Sequence, residues 1–273
     1  MIRLTTIVEN TATGTGLRAE HGLSVLVETE KDCLLFDTGQ TDCLIHNAKV
    51  LGVDLSRIEK VVLSHGHYDH TGGLTYLCNY ATSPIVYAHP EIFRKRYAKS
   101  GDNLRYIGMG KRTLYEEHGA RFVLSDRSFE VIKGVYTTGF EEMTTDFEEV
   151  DKGFVYKTGT EYKKDDVPDD MSLVLDTRKG LFVIFGCAHR GIINIIRQVE
   201  KEFEKKVFGF IGGTHLGPAS EIQKRRTVEE LKGMNLEVIG PLHCTGASMT
   251  ARFQDEFDNK IVSSNAGEVI ELD

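Results

Sequence analysis

The chain has 273 residues, 40% of them hydrophobic, with 33 basic against 41 acidic side chains and a formal charge of −8. That length and apolar share suffice for one large core or two small ones. The acidic balance argues against a general nucleic-acid binder, which is usually basic. The opening MIRLTTIVEN carries no long apolar run and no small-residue cleavage site, so neither a secretory signal nor a membrane span is expected, and a cytoplasmic location is. Five cysteines, Cys33, Cys43, Cys78, Cys187 and Cys244, form no CxxC pair. A disulfide scaffold or zinc ribbon is therefore not indicated, and Cys33, Cys43 and Cys78 read as buried reduced thiols.

In chain order, residues 2–8 read as a strand, and 24–29 with 32–37 as a hairpin turning at Glu30-Lys31. Residues 42–51 have helical spacing, 60–64 form a short apolar strand ending at His65, and 85–88 form another. The second half repeats this grammar. Residues 172–177 and 181–186 predict a hairpin turning at Lys179-Gly180, and 191–203 an amphipathic helix with Ile192, Ile195, Ile196 and Val199 on one face. Residues 207–211 predict a strand ending near His215, 227–233 the end of a helix, and 236–239 a strand ending near His243. SVLVETEKDCLLFDTG resembles SLVLDTRKGLFVIFGC in residue type, and 28 residues separate Asp37 from His65 and Cys187 from His215. Two similar halves, each a β-sheet with helices outside, are expected to pack as a sandwich, with strand ends converging along one edge. Residues 91–170 break the repeat with a basic run, FRKRYAKSGDNLRYIGMGKR, followed by acidic ones; they read as an insertion over the site, a lid within one domain spanning 1–273.

The chemistry concentrates in SHGHYDHTGG, residues 64–73. His65, His67, Asp69 and His70 fall within six residues directly after an apolar strand. A strand cannot put all four on one face, so they must curl in a loop. His65 and His67 can then share one cation while Asp69 and His70 reach a second. Imidazole with carboxylate suits zinc, and also iron or manganese. Gly72 and Gly73 permit close packing where the loop turns back.

HxHxDH at a strand end resembles the metallo-β-lactamase superfamily, as does the preceding FDTG (36–39), whose aspartate would hold the ligand loop by hydrogen bonds. The resemblance implies an α+β fold, a four-layer αββα sandwich of two mixed sheets, and two divalent metal ions, zinc first, with manganese or iron as alternatives. It implies His65 and His67 on the first metal, and Asp69, His70 and a late histidine, His243, on the second. Where the family expects a bridging carboxylate, this chain has Cys187, a position at which some true lactamases place a cysteine ligand. For the missing ligand of the first metal, His189 is the leading candidate, with Asp169 or Asp170 as oxygen alternatives. AEHGLS, HGHYDHTGGL, YAHPEIF, GCAHRGIINII, GGTHLG and HCTG together are similar to the group named for 7,8-dihydropterin-6-methyl-4-(β-D-ribofuranosyl)aminobenzene-5′-phosphate synthase.

His21 and His215 are expected to line the site and, with Asp69, to orient nucleophile and substrate or move a proton. His89 reads as a capping or packing residue, His46 and His118 as surface groups. Arg190, Arg94, Lys95, Arg96, Arg105, Lys111 and Arg112 are candidates to meet a phosphate. The first functional expectation is a metal-dependent hydrolase acting on an ester, phosphoester or related bond of a small, anionic molecule through a metal-activated water. The alternative is a transferase joining a dihydropterin pyrophosphate to a ribofuranosylaminobenzene phosphate. A non-catalytic metal-dependent binding protein is the third.

Overall fold

A computed structural model describes residues 1–273. Its β-branched runs assemble into two large sheets and one small one. The first sheet has seven strands in the order Val269–Leu272, Ile2–Val8, Ser24–Glu28, Cys33–Phe36, Lys60–Val62, Ile85–Ala88 and Arg121–Leu124. The second has six, in the order Val238–Leu242, Val207–Gly213, Leu181–Phe185, Leu173–Asp176, Val135–Gly139 and Arg127–Ile132.

Period-two alternation sends each strand's side chains to two cores. Leu34 and Phe36 face the second sheet, where they meet Leu173, Phe182 and Ile184; Leu35 between them faces the helix Cys43–Leu51. On the other side, Val183 and Phe185 pack under the helices Ile192–Phe203, Glu221–Gly233 and Gly246–Phe257, through Ile192, Ile196, Val228, Leu231 and Phe253. The result is the αββα sandwich of an α+β protein.

The internal repeat survives as topology. In each half an antiparallel hairpin (Val27 opposite Leu34, Leu175 opposite Phe182) leads through a helix to a strand that pairs parallel with the hairpin's second arm (Phe36 beside Val62, Ile184 beside Ile211). Both halves therefore deliver the carboxyl ends of parallel strands to one edge.

Three boundaries differ from expectation for local reasons. The strand expected over 60–64 leaves its ladder after Val62, because the Asp37 carboxylate takes the Ser64 N–H. The helix ending at Gly233 begins at Glu221, where the Ser220 hydroxyl accepts the Gln223 N–H. The last parallel strand runs over Val238–Leu242 and contains Pro241, tolerated because the strand lies at a sheet edge. Residues 91–170 are not one excursion. Arg121–Leu124 and residues 127–139 extend the two main sheets, whereas a separate four-stranded sheet comprises Glu161–Lys164, Phe154–Thr158, Arg96–Ser100 and Asn103–Tyr106. No helix is long and apolar enough to cross a membrane.

The helix Ile192–Phe203 follows Gly191, which has no side chain to cap it; Glu148 does so from a distant loop, accepting the N–H groups of Ile193 and Asn194 at 2.9 Å each. Burial lifts the Glu148 carboxyl from 4.5 to about 7, against the pull of those N–H groups. Its folded-state pKa lies above the unfolded value, so its contribution to stability falls as pH rises from about 4.5 through about 7. Denaturant melts should show Glu148→Gln removing that slope, and Glu148→Ala losing about 1–3 kcal/mol through uncapped, buried N–H groups.

Candidate metal centre

The site begins where strands end. Beyond Phe36 the chain enters a left-handed turn at Asp37 (φ 57°), whose buried carboxylate receives the Ser64 N–H and hydroxyl, each at 2.7 Å, and lies 2.7 Å from His70 Nδ1. These three contacts fix the loop that follows Val62. A short helical turn, Tyr68–Thr71, then carries Asp69 and His70 inward.

Two triads of donor atoms result. His65 Nε2 stands 3.0 Å from His67 Nδ1 and 3.2 Å from His189 Nε2. His243 Nε2 stands 3.1 Å from His70 Nε2 and 3.2 Å from Asp69 Oδ2. Side chains that would normally repel or stay solvated are packed here at the separations of donors around a common ion. Cys187 Sγ lies 3.2 Å from His70 Nε2, on the boundary between the triads.

The protonation states suit cations. Burial pushes the His65, His67 and His189 imidazoles well below their usual range, and neighbouring imidazoles deepen the shift for His65 and His189, so the first triad presents neutral ring nitrogens. Burial alone would raise Asp69, but His70, His21 and His243 hold it well below the usual carboxylate range. Burial also disfavours charge on His70, but the Asp37 and Asp69 carboxylates overcome this and raise it to about 9; a cation would have to displace that proton.

The remaining candidates divide. His21 is half exposed at the rim, its Nε2 3.2 Å from Asp69 Oδ2. His215 packs against His189 with ring centroids 4.2 Å apart, and both of its ring nitrogens lack a partner. Asp169 and Asp170 lie outside both triads. Asp169 accepts the Gly66 N–H at 2.8 Å and pairs with Arg96, whereas Asp170 accepts the Arg190 N–H at 2.9 Å. Arg190 is itself buried, its guanidinium donating to the Glu141 and Asp166 carbonyls, so it is not free to meet a phosphate. His89 caps the turn after it by accepting the Glu91 N–H, and His46 lies far from the triads, against the Gly16 carbonyl.

Several contributors went unread in the sequence. Glu9 accepts the His243 N–H at 2.8 Å, and Asn10 Oδ1 lies 2.9 Å from His243 Nδ1, which orients the ring. An acid and an amide directly after the apolar strand Ile2–Val8 were the available signal. Phe154, on the small sheet, packs edge-on to His67 and His189 at 5.1 and 5.3 Å. Arg96, from the same sheet, is fully buried between Asp165 (2.8 Å) and Asp169 (2.5 Å). Through Asp169 it fastens the small sheet to the histidine-rich loop, where a Cβ on Gly66 would overlap the Ile92 carbonyl and crowd the Arg96 guanidinium.

A four-layer sandwich with this donor set defines a class of metal-binding proteins, and the comparisons agree. The metallo-β-lactamase superfamily model matches residues 17–190, and the chain belongs to that superfamily. A Methanocaldococcus jannaschii protein named 7,8-dihydropterin-6-methyl-4-(β-D-ribofuranosyl)-aminobenzene-5′-phosphate synthase is 32% identical across 93% of this chain and 90% of its own length. The structure of Tm1679, described as a metal-dependent hydrolase of the β-lactamase superfamily, is 30% identical, covers 100% of this chain and 99% of its own, and superposes with a TM-score of 0.87. Zn²⁺-bound PqqB from Methylobacterium extorquens shares the fold, with a TM-score of 0.61 at 12% identity over 99% of this chain and 100% of its own.

Arg96→Met should leave buried Asp169 without a counter-charge and Asp165 with only Arg94 at 3.7 Å, destabilising the protein by roughly 3–5 kcal/mol. It should also weaken zinc binding roughly 10–100-fold by freeing the Gly66 turn. Arg96→Lys should not rescue binding, since a single ammonium cannot span both acids. Denaturant melts of the metal-free protein and zinc competition titrations measure the two effects separately.

Proposed function

We propose that the protein is a metal-dependent hydrolase of a small anionic ester or phosphoester. The observation that carries this reading is the convergence of two donor triads, His65–His67–His189 and Asp69–His70–His243, beside a solvent-reaching cavity of about 250 Å³. A pair of divalent cations held there would supply Lewis acidity, acidify water and offset anionic charge. The protein's own groups do the rest. His21 shares a hydrogen bond with Asp69, which raises its pKa against the lowering by burial, and its exposed ring can pass a proton between the site and bulk water. Arg105 lines the mouth, donating to the Tyr68 hydroxyl at 2.9 Å, and offers a fixed guanidinium to an anionic substrate. Phe154 and the small sheet that carries it cover the first triad and limit water.

Similarity to Tm1679, described as a metal-dependent hydrolase, supports the first reading. The relationship to the M. jannaschii synthase favours a second reading, in which the same cations hold a pyrophosphate leaving group while an aromatic acceptor replaces water.

Protein stripped with chelator and reloaded with zinc, then offered phosphodiester, ester and lactone substrates, tests the first reading. Turnover that follows the metal is expected, and a fully loaded protein with none would overturn it. Incubation with a dihydropterin pyrophosphate and a ribofuranosylaminobenzene phosphate tests the second, with pyrophosphate release and a coupled product as the positive result. His67→Ala should lose metal and at least ~100-fold in activity, more than loss of an outer partner costs, while His46→Ala retains both.

A further inference from the structure

Beside the cavity that reaches the triads lies a second one, of about 230 Å³, which the hydrolase reading leaves without a role. The two share a wall formed by His215 and Pro218. We propose, building on the hydrolase reading of the metal centre, that the second cavity is a subsite for the part of the substrate that does not react. It takes a neutral head group carrying N–H donors beside a carbonyl, as in an amide or a lactam heterocycle.

The polar groups that line this cavity are unevenly committed. Glu149 is paired with Lys152 at 2.9 Å, so its charge is answered. Asp151 accepts the Gly153 N–H at 2.7 Å through Oδ1, and its second oxygen has no partner. The Gln223 side-chain oxygen accepts the Glu149 N–H at 3.4 Å, which leaves its amide N–H groups to donate. A carboxylate oxygen that can only accept, on the same cavity as an amide left to donate, matches a ligand edge that sets N–H beside C=O. Val150, Pro218 and Ala219 supply apolar wall for the body of such a group. The unpaired carboxylate disfavours a second anion here. The negative charge of the substrate therefore belongs at the other end, where Arg105 lines the first cavity.

The chain ties the two cavities together. Asp151 and Phe154 belong to one turn, in which the Phe154 N–H donates to the Asp151 carbonyl at 3.2 Å. That turn sets Phe154 against His67 and His189 and Asp151 on the second cavity. At the shared wall, both His215 ring nitrogens are buried without a hydrogen-bond partner, a costly state for a polar group unless something binds there. A substrate reaching from one cavity into the other passes this imidazole and supplies the partner it lacks.

Guanosine and inosine differ by one amino group beside a lactam N–H, and their binding to chelator-stripped protein tests the subsite without reference to turnover. Titration calorimetry should show the wild type binding guanosine roughly tenfold tighter than inosine or more, the worth of a hydrogen bond to a charged acceptor. Asp151→Asn keeps an acceptor for the Gly153 N–H, so the turn survives, but it replaces the free oxygen with a donor and should erase the preference. Ala219→Leu narrows the cavity and should weaken both nucleosides. Absence of binding, a preference that survives Asp151→Asn, or binding untouched by Ala219→Leu overturns the subsite. A guanosine preference in a protein that, loaded with zinc, turns over no ester sinks the hydrolase reading and leaves the subsite standing. Ester turnover with no nucleoside preference does the reverse.

Discussion

Everything at the site hangs from the Asp37 carboxylate. It is fully buried in the seam between the sheets, where an uncompensated charge would cost several kcal/mol. Two donors from Ser64 and the His70 ring compensate it, and each contact has a consequence. The Ser64 bonds end the strand at Val62 and start the loop. The His70 contact fixes which ring nitrogen faces the cavity, leaving Nε2 for a metal. With this one anchor in place, the loop's remaining candidate donors need only short-range turns to reach their positions.

The second half supplies its donors by bending strand ends. Four of the eight non-glycine residues with left-handed backbone, Asp37, Ala188, His215 and His243, lie at or beside the site. Each costs on the order of 1 kcal/mol and persists only where surrounding structure over-determines it. Here that support is visible. Glu9 and Asn10 hold His243, Cys244 holds the His215 N–H, and Asp170 with the Glu141 carbonyl holds Arg190 beside Ala188 and His189. A comparable tie comes from the small sheet, where buried Arg96 holds Asp169 and, through it, the Gly66 N–H of the loop after Val62.

Much of this was legible from residue order. Strand alternation separated Leu34 and Phe36 from Leu35, and the paired hairpins foretold two sheets with converging strand ends. The HxHxDH run marked the loop because its candidate donors are sequence neighbours. What escaped was non-local. The residues orienting His243 lie more than 230 positions away, and no local pattern announces such a contact. Arg96 stands in a basic run beside Arg94 and Lys95, so composition made it a candidate to meet a phosphate; its pairing with Tyr156 and the acids at 165 and 169 turn it inward instead. Residues 121–139 were folded into the insertion because their strands are short and half polar, though they extend the main sheets.

The donor triads draw on both halves of the repeat, and this has a mechanical side. His65 and His189 are 124 residues apart, and His70 and His243 are 173 apart. An ion seated in either triad is a reversible staple across the sandwich, closing a loop far longer than most disulfides close. Loop-closure entropy grows with the logarithm of length, so such staples restrict the unfolded chain at little expense to the folded one. The supply of such an ion would then set the rigidity of the folded chain as well as the state of its donors.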